Sequence, residues 1–505
     1  MQHRPSSLFR SPQLSSAALT LCLCVLASAL RPTALTVPRF YLSDSGVFYA
    51  VFHRIAQGER LYADVFDHKD PLFYLFYTAG YALLGDAGPM VWETALTLVS
   101  LGLAVLICRQ LGLGLSSTAL VALGFFAFFL HPYSYLPVHT NHQAIALALG
   151  AAALGLARRD LLAGVLLGAM VLTKLTYALF IPSLALLALA SAERPFVQPS
   201  LARLARIAAG GLLAAAAGLL ALLLSGSLWA YLDVIRLNVR YQAEYAQIRA
   251  LYWPYTPGSP LDVLAADLSP ALLAAHLALL LAGVAGALWP AGRAADAPGR
   301  GRMLALALGA ALAIGAAAYL LASSYAWPHY YQAVALPTLL AAIAGVAPHQ
   351  RRLARPKLAL PLLALYGLLA VASGALSPVP SYLELRRPQR AAEADERQLR
   401  PCIVEQAEAA GARTFATLGS NDPVQAARLV PPGLRLQCRS FYQFPWFHGA
   451  ILEELAECLE TQRPDLVFQR AWHFPLDVEA RLSEVLARGY QRHTGCGQLV
   501  VWRRR

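Results

Sequence analysis

Residues 66–77, FDHKDPLFYLFY, put four charged or titratable side chains directly before an apolar, aromatic run. The four are Asp67, His68, Lys69 and Asp70, and a proline begins the run. Charges beside lipid cost free energy unless water, a protein partner or a charged ligand meets them. The stretch therefore predicts the outer edge of a site at a membrane surface.

The rest of the chain is apolar enough to supply that membrane. Its 505 residues are 57% hydrophobic and 14% charged, whereas soluble globular proteins contain about 25% charged residues. The apolar residues form long blocks, for example at 115–130, 144–156, 212–224, 271–288 and 303–321. Repeated blocks of about 15–20 apolar residues indicate transmembrane helices. We predict a polytopic α-helical membrane protein, because too few polar residues remain to cover a soluble bundle.

The basic residues give the orientation. The net charge is +12, and its carriers gather in alternate short connections that hold few acids: Arg109, Arg158, Arg159, Arg194, Arg203, Arg206, Arg293, Arg300, Arg302, Arg351, Arg352, Arg355 and Lys357. This positive-inside pattern predicts that these connections are cytoplasmic, and it argues against nucleic-acid binding. Residues 31–70 hold equal numbers of acidic and basic residues and are predicted to form an external loop.

The apolar blocks, together with the alternation of basic and near-neutral connections between them, predict about eleven membrane crossings. Residues 14–30 form either a retained first helix or a cleaved signal peptide, and both place residue 31 outside. A half-buried aromatic helix is expected at 71–85, and a hairpin at 161–191 with a polar apex near Lys174 and Pro182 in its second arm. The remaining crossings are expected at 89–108, 115–130, 142–157, 207–224, 270–289, 303–322, 331–347 and 358–376.

The composition of the sequence changes from apolar to polar after residue 376. We assign residues 1–376 to a transmembrane domain and 377–505 to an external α/β domain that follows a polar, proline-rich linker. Helices are expected at 393–409, 450–460 and 476–488, and strands at 413–418, 465–469 and 498–502. Four of the seven cysteines fall in this domain: Cys402, Cys438, Cys458 and Cys496. They predict two disulfides with three possible pairings, the alternative being four buried thiols.

The first external loop carries the most informative pattern. Apolar residues recur at helical spacing over 47–55, and Gly58 follows as a C-terminal cap. The pattern predicts an amphipathic helix lying flat on the membrane, with Tyr49 and Tyr62 at the depth of the lipid headgroups. Asp44 precedes this helix. It is either a helix cap or a catalytic carboxylate.

The order of these features resembles a known family. An early Asp44, the stretch QGERLYADVFDHKDPL at 57–72, many membrane helices and a late WPHYYQAVALP at 327–337 are similar to the GT-C glycosyltransferases that use polyprenyl-phosphate sugars. The branch with protein O-mannosyltransferases and lipid A aminoarabinose transferases (glycosyltransferase family 39-like) is the most similar. The resemblance is strongest over 40–110 and recurs at 161–182 and 325–340.

The resemblance implies an inverting transfer of a sugar from a polyprenyl-phosphate carrier to a glycan, lipid or protein acceptor on the external face of the cytoplasmic membrane. It implies that Asp44 activates the acceptor hydroxyl and that Lys69 binds the donor phosphate. No metal or other cofactor is expected. The aromatic run 72–77 would line a groove for the lipid tail. Lys69 has an alternative role as a partner of Asp67 or Asp70.

Further substrate contacts are expected outside the two principal residues. Lys174, a lysine within an apolar hairpin, is either a second phosphate contact or an interface anchor. The residues expected to line the substrate are His68, Asp70, Asn141, His142, His329 and Tyr330. For the last two the alternative is an aromatic belt at the membrane interface. The spacing of His139 and His142 fits a metal, but no carboxylate lies near them in sequence.

One feature departs from the family, and two other functions compete with transfer. The family often has a second acid beside the first or in the turn at 131–143, whereas here Ser45 follows Asp44 and that turn has no acid. The long loop 225–269 is expected to act as a lid or binding loop. A lipid-linked sugar flippase and a polysaccharide polymerase or ligase are the alternative functions. The chain shows no internal repeat of the kind typical of transporters.

Overall fold

The computed structural model describes residues 44–65, 67–115, 117–119, 121–122, 125, 139–189, 198–239, 297–323, 333, 335–346, 399–418, 434–438, 449–470, 476–496 and 499–505. Their contacts form two compact units. The first contains the described residues between Met90 and Gly218 and between Pro257 and Pro380. The second contains those between Val37 and Pro89, between Leu219 and Thr256, and between Ser381 and Arg505. The domain boundary at 376 stays a prediction.

The first unit is a helical bundle. Its helices are α3 (Gly88–Gln110), α4 (Thr140–Leu156), α5 (Asp160–Thr173), α6 (Ile181–Leu189), α7 (Gln198–Leu224), α9 (Ala297–Ser323) and α10 (Ala335–Val346). Alanine and leucine dominate the core between them. In the described part of the chain, Gly88–Gln110 and Ser200–Leu224 are long and apolar enough to cross a membrane by length and composition. The total of eleven crossings stays a prediction.

The segment at 161–191 turns back at Lys174. Helix α5 ends at Thr173, Lys174 is extended (φ −156°, ψ 102°), and a 3-10 helix, Leu175–Phe180, leads into α6, which contains Pro182. Helices α5 and α6, the two arms, both pack against Gly155 near the end of α4. A Cβ built on Gly155 would lie 2.6 Å from the Cβ of Ala188 in α6 and 3.9 Å from the Cβ of Ala163 in α5. This is the expected hairpin, with the lysine at its break.

Glycines bring α5 and α7 into backbone contact. A Cβ built on Gly164 would overlap the carbonyl oxygen of Ile207, and one on Gly210 would overlap that of Leu161. One turn later, Gly168 packs against Gly211 and Ala214. Small residues at such spacing allow helices in membranes to approach closely.

The second unit begins with two helices, α1 (Asp44–Ala56) and α2 (Pro71–Leu84). They pack through aromatic rings, with Phe48 and Phe73 centroids 4.9 Å apart and Phe52 stacked on Tyr77 at 5.8 Å. Helix α1 agrees with the periodicity at 47–55. Gly58 has φ 92° and donates its N–H to the carbonyl of Ile55 at 2.9 Å, as a C-terminal cap does.

Two expectations for this region are wrong. Tyr49 and Tyr62 are buried within the protein rather than placed among lipid headgroups, because other rings and loop residues pack over them. In the run 72–77, the rings of Phe73, Tyr74 and Tyr77 are also fully buried. They face α1, so only the remaining positions of the run are exposed enough to meet a lipid tail.

The second unit ends in a five-stranded sheet in the order β2-β1-β3-β5-β4. Strands β1 (Thr414–Leu418), β2 (Arg435–Leu436) and β3 (Leu466–Arg470) are parallel. Strand β5 (Leu499–Arg504) pairs antiparallel with β3, and β4 (Tyr490–Cys496) pairs antiparallel with β5. Helix α11 (residues 399–409) covers one face. Helices α12 (Gly449–Thr461) and α13 (Leu476–Gly489) cover the other. The sheet and its helices agree with the predicted α/β unit, and strands β2 and β4 were not predicted.

Each face of the sheet carries a disulfide. Cys402, in helix α11 at 399–409, is bonded to Cys496 of β4, with Cα atoms 5.7 Å apart. Cys438 is bonded to Cys458 of α12, with Cα atoms 5.4 Å apart. The structure thus selects one of the three pairings. That pairing ties each covering layer to its own side of the sheet.

Candidate functional site

The charged loop, residues 67–70, lies directly before α2 and is organised around a buried aspartate. The Asp67 side chain is 4% exposed, and its Oδ1 accepts the N–H groups of His68 at 2.6 Å and Lys69 at 3.0 Å. These bonds turn the backbone sharply. The turn presents the next two side chains on the same side of the loop.

Lys69 has an unusual set of neighbours. Its Nζ donates to Nε2 of His68 at 2.7 Å and lies 5.7 Å from the centre of the Phe48 ring. Among the residues that the structure describes, no carboxylate lies within ion-pair distance of this ammonium. The alternative role of Lys69 as a partner of Asp67 or Asp70 stays a prediction, and the charge of Lys69 acts to lower the pKa of Asp67. Such an ammonium retains donors for an anion.

Helix α8 (residues 228–239), at the start of the loop predicted to be a lid, holds the charged loop from the side. The Tyr231 hydroxyl donates to Oδ1 of Asp70 at 2.8 Å, and Asn238 Nδ2 donates to the carbonyl of His68 at 2.9 Å. The Tyr62 hydroxyl donates to the carbonyl of Lys69 at 2.6 Å. Tyr62 also lies against the Tyr231 ring, with centroids 5.0 Å apart. Sequence reasoning could not find these contacts, which join residues up to 170 positions apart.

Burial and neighbouring charges fix the ionisation of this loop. Burial raises the pKa of Asp67, although Lys69, Tyr74 and the backbone N–H groups act in the opposite direction. Burial, reinforced by the charge of Asp70, raises the pKa of Tyr62 and of Tyr231. Both tyrosines therefore stay protonated and donate their hydrogen bonds throughout the physiological range.

A second polar cluster lies in the first unit, around the first turn of α4. Asn141 Oδ1 accepts a hydrogen bond from Lys174 Nζ at 2.6 Å. Nδ1 of His142 contacts a carboxylate oxygen of Glu93 of α3, and neither side chain is exposed. Polar groups this deeply buried are costly unless they are paired. Three predicted substrate residues, Asn141, His142 and Lys174, are thus brought to the N-terminus of one helix.

Glu93 was not predicted. It is an acid in the otherwise uncharged stretch 88–108, and an ionisable residue within such a segment is a functional candidate by default. That rule would have identified the residue, although not its partner. The turn at 131–143 has no acid of its own, and Glu93 supplies one to His142 from another helix.

Several predicted residues lie outside this description. Asp44 is the first residue of α1, but its side chain is not among those described. His329 and Tyr330 lie outside the described residues. Within the described part of the chain, no group of three or more His, Cys, Asp or Glu side chains is arranged to hold a metal ion. The expectation of a site without a metal stays a prediction.

Comparison with known proteins identifies the fold. No protein-family model and no curated protein sequence matches the chain. Two structures of the Archaeoglobus fulgidus oligosaccharyltransferase AglB, one with an inhibitory peptide and dolichol-phosphate, match at 12% and 14% identity with TM-scores of 0.46. They cover 96% of this chain and 74% and 73% of theirs. The crystal structure of ArnT from Cupriavidus metallidurans matches at 14% identity and a TM-score of 0.55, over 96% of this chain and 98% of that one. The chain therefore has the GT-C fold that its sequence resembles.

Proposed function

We propose that the protein is a membrane glycosyltransferase that moves a sugar from a polyprenyl-phosphate carrier to an acceptor on the external face of the cytoplasmic membrane. The observation that carries the proposal is the likeness to ArnT, a lipid A aminoarabinose transferase, over nearly the full length of both chains. A shared fold alone does not assign chemistry. The residues of the charged loop supply the additional support.

The donor end of the reaction needs a cation. When the bond between the sugar and the phosphate breaks, negative charge develops on the departing lipid phosphate. The Lys69 ammonium contacts the imidazole of His68 at 2.7 Å rather than a carboxylate. Three hydrogen bonds, from Tyr62, Tyr231 and Asn238, fix the loop around it. In the proposed mechanism this lysine binds the phosphate and stabilises it as a leaving group.

The acceptor end needs a base. In the proposed mechanism Asp44 accepts the proton of the acceptor hydroxyl while that oxygen attacks the anomeric carbon from the face opposite the phosphate. One bond forms as the other breaks, so the configuration at that carbon inverts. Lys174 keeps its proposed role as a second phosphate contact. Its hydrogen bond to Asn141 also fits a purely structural role.

The test is sugar transfer from radiolabelled polyprenyl-phosphate sugars in membranes containing the wild type, Lys69→Ala, Asp44→Asn or Arg488→Ala. The control Arg488 lies on α13, is 63% exposed and pairs with Glu460 and Glu484. We expect both site variants to lose at least about a hundredfold in rate and the control to retain wild-type transfer. Full transfer by both site variants would refute the site. Movement of intact donor across vesicles without transfer would favour a flippase instead.

A further inference from the structure

We infer that His68 is a positioning residue: its neutral imidazole holds the Lys69 ammonium in the orientation that binds the donor phosphate. The inference rests on the proposed function for its ligand, a lipid-linked phosphate. It adds a role for the histidine that the resemblance does not assign. The argument starts from the protons on the two side chains.

A lysine ammonium only donates hydrogen bonds, so the nitrogen that it contacts must accept. Lys69 Nζ lies 2.7 Å from His68 Nε2, and this nitrogen therefore carries a lone pair rather than a proton. A neutral imidazole then carries its single proton on Nδ1. In this contact His68 is uncharged and in one tautomer.

Asp67 favours the same tautomer from the other side. Its Oδ1 lies 3.4 Å from His68 Nδ1, and a carboxylate oxygen attracts a proton on that nitrogen. Two backbone N–H groups hold the carboxylate in this orientation. Asp67, His68 and Lys69 thus form a chain in which the acid orients the imidazole and the imidazole orients the ammonium.

Described residues of three other segments contact this chain. Helix α1 contributes the Phe48 ring, which faces the ammonium. Helix α8 contributes Asn238, on the carbonyl of His68, and Tyr231, whose hydroxyl is on Asp70. Tyr62 contacts the carbonyl of Lys69. The charged and titratable groups that these contacts bring to the loop are Asp67, Lys69, Asp70 and protonated tyrosines.

Protonation of His68 breaks this arrangement. The imidazolium carries a second N–H on Nε2, which then donates where it accepted, and two positive charges face each other across the former hydrogen bond. Lys69 loses its acceptor and moves. We therefore expect donor binding to weaken as the pH falls through the range in which imidazoles titrate, about 6 to 7.

The experiment measures the donor KM and kcat between pH 5.5 and 8 for the wild type, His68→Gln, His68→Ala and the control His53→Gln. Glutamine offers an amide oxygen in place of Nε2 but does not titrate. His53 lies on α1, where it contacts Tyr81 and Gln57, away from the charged loop. Thermal unfolding of each variant shows whether a change in KM reflects loss of folding.

The wild type and His53→Gln should show a donor KM about tenfold higher at pH 5.5 than at pH 7.5, with kcat changed much less. His68→Gln should have a wild-type KM at pH 7.5 and no dependence on pH. His68→Ala should have a KM raised about tenfold throughout, the effect of losing one hydrogen bond to a charged group.

Two results overturn the inference: a wild-type KM that falls in acid, which would mean that the imidazolium itself binds phosphate, or a His68→Ala variant with the wild-type profile. The proposed function can fail separately. If the wild type transfers sugar from no donor, the dissociation constant of undecaprenyl phosphate, measured over the same pH range with the same variants, decides the role of His68.

Discussion

The contact between α5 and α7 gives the most closely controlled prediction about the bundle. Gly210 and Gly211 are neighbours in α7, and the structure assigns them opposite tolerances. A Cβ on Gly210 would overlap the carbonyl oxygen of Leu161, 2.9 Å from the nitrogen of Val165 and 3.0 Å from the Cα of Gly164. Within the described part of the chain, the atom nearest to a Cβ on Gly211 would be the carbonyl oxygen of Gly164 at 3.6 Å, an ordinary van der Waals contact.

The magnitude follows from two opposing effects. Replacing a helical glycine with alanine stabilises the helix by about 1 kcal/mol, and this gain is the same at adjacent positions. Overpacking against rigid backbone costs about 1–3 kcal/mol. Gly211→Ala should therefore be as stable as the wild type or slightly more so. Gly210→Ala should be less stable than Gly211→Ala by about 2 kcal/mol, a factor of about thirty in the unfolding equilibrium.

The assay is unfolding of each purified variant in detergent, by heat or by increasing SDS, followed by circular dichroism. Gly315→Ala serves as a second control, because no atom of the described residues lies within 4 Å of a Cβ built there. Equal stability of the Gly210 and Gly211 variants would show that the backbones of α5 and α7 do not touch at Gly210. The description of the bundle would then need revision.

Three further predictions concern buried or hydrogen-bonded acids. Glu93→Ala should destabilise the protein by about 3–5 kcal/mol in the same unfolding assay, because it leaves His142 buried without its partner; a loss below about 1 kcal/mol would show that the two are not paired. Asp67→Asn should be at least as stable as the wild type at pH 7, because burial raises the pKa of Asp67 and its ionised form therefore opposes folding; the difference should vanish below about pH 4, and a variant less stable than the wild type at pH 7 contradicts this reasoning. Asp465→Asn should instead be less stable than the wild type at pH 7. Although burial acts to raise the pKa of Asp465, the N–H of Arg413, the Thr414 side chain and the charge of Arg504 together lower it, so the carboxylate stabilises the fold. The loss of stability in the variant should disappear as the pH falls below about 4, and a loss that persists in acid would show that the charge is not its cause.

The sequence was sufficient where local pattern decides structure. The helical spacing of apolar residues over 47–55 predicted α1, and the glycine that follows predicted its end. Both signals can be recognised within a short stretch of sequence, because neither depends on a distant residue. The hairpin break at Lys174 was also predicted, since a lysine in an apolar segment must reach a polar partner. The structure supplied that partner, Asn141, 33 residues away.

Local pattern failed where partners are distant or polar. Strand β4, YQRHTGC, has too many polar residues to show a strand pattern, and it forms because β5 is available to pair with it. Tyr49 and Tyr62 were assigned to the membrane surface because an amphipathic helix does not reveal what will cover it. The Glu93 pair depends on packing between helices and could not be predicted from spacing.

The central claim is that a lipid-phosphate donor reacts at Lys69. The most direct measurement is the release of polyprenyl phosphate from a polyprenyl-phosphate sugar by the purified protein in lipid nanodiscs, compared between the wild type and Lys69→Ala. The account predicts that the wild type releases one lipid phosphate for each sugar transferred, and that Lys69→Ala is slower by at least about a hundredfold. Release at the wild-type rate by Lys69→Ala, or no release by the wild type from any such donor, would contradict it.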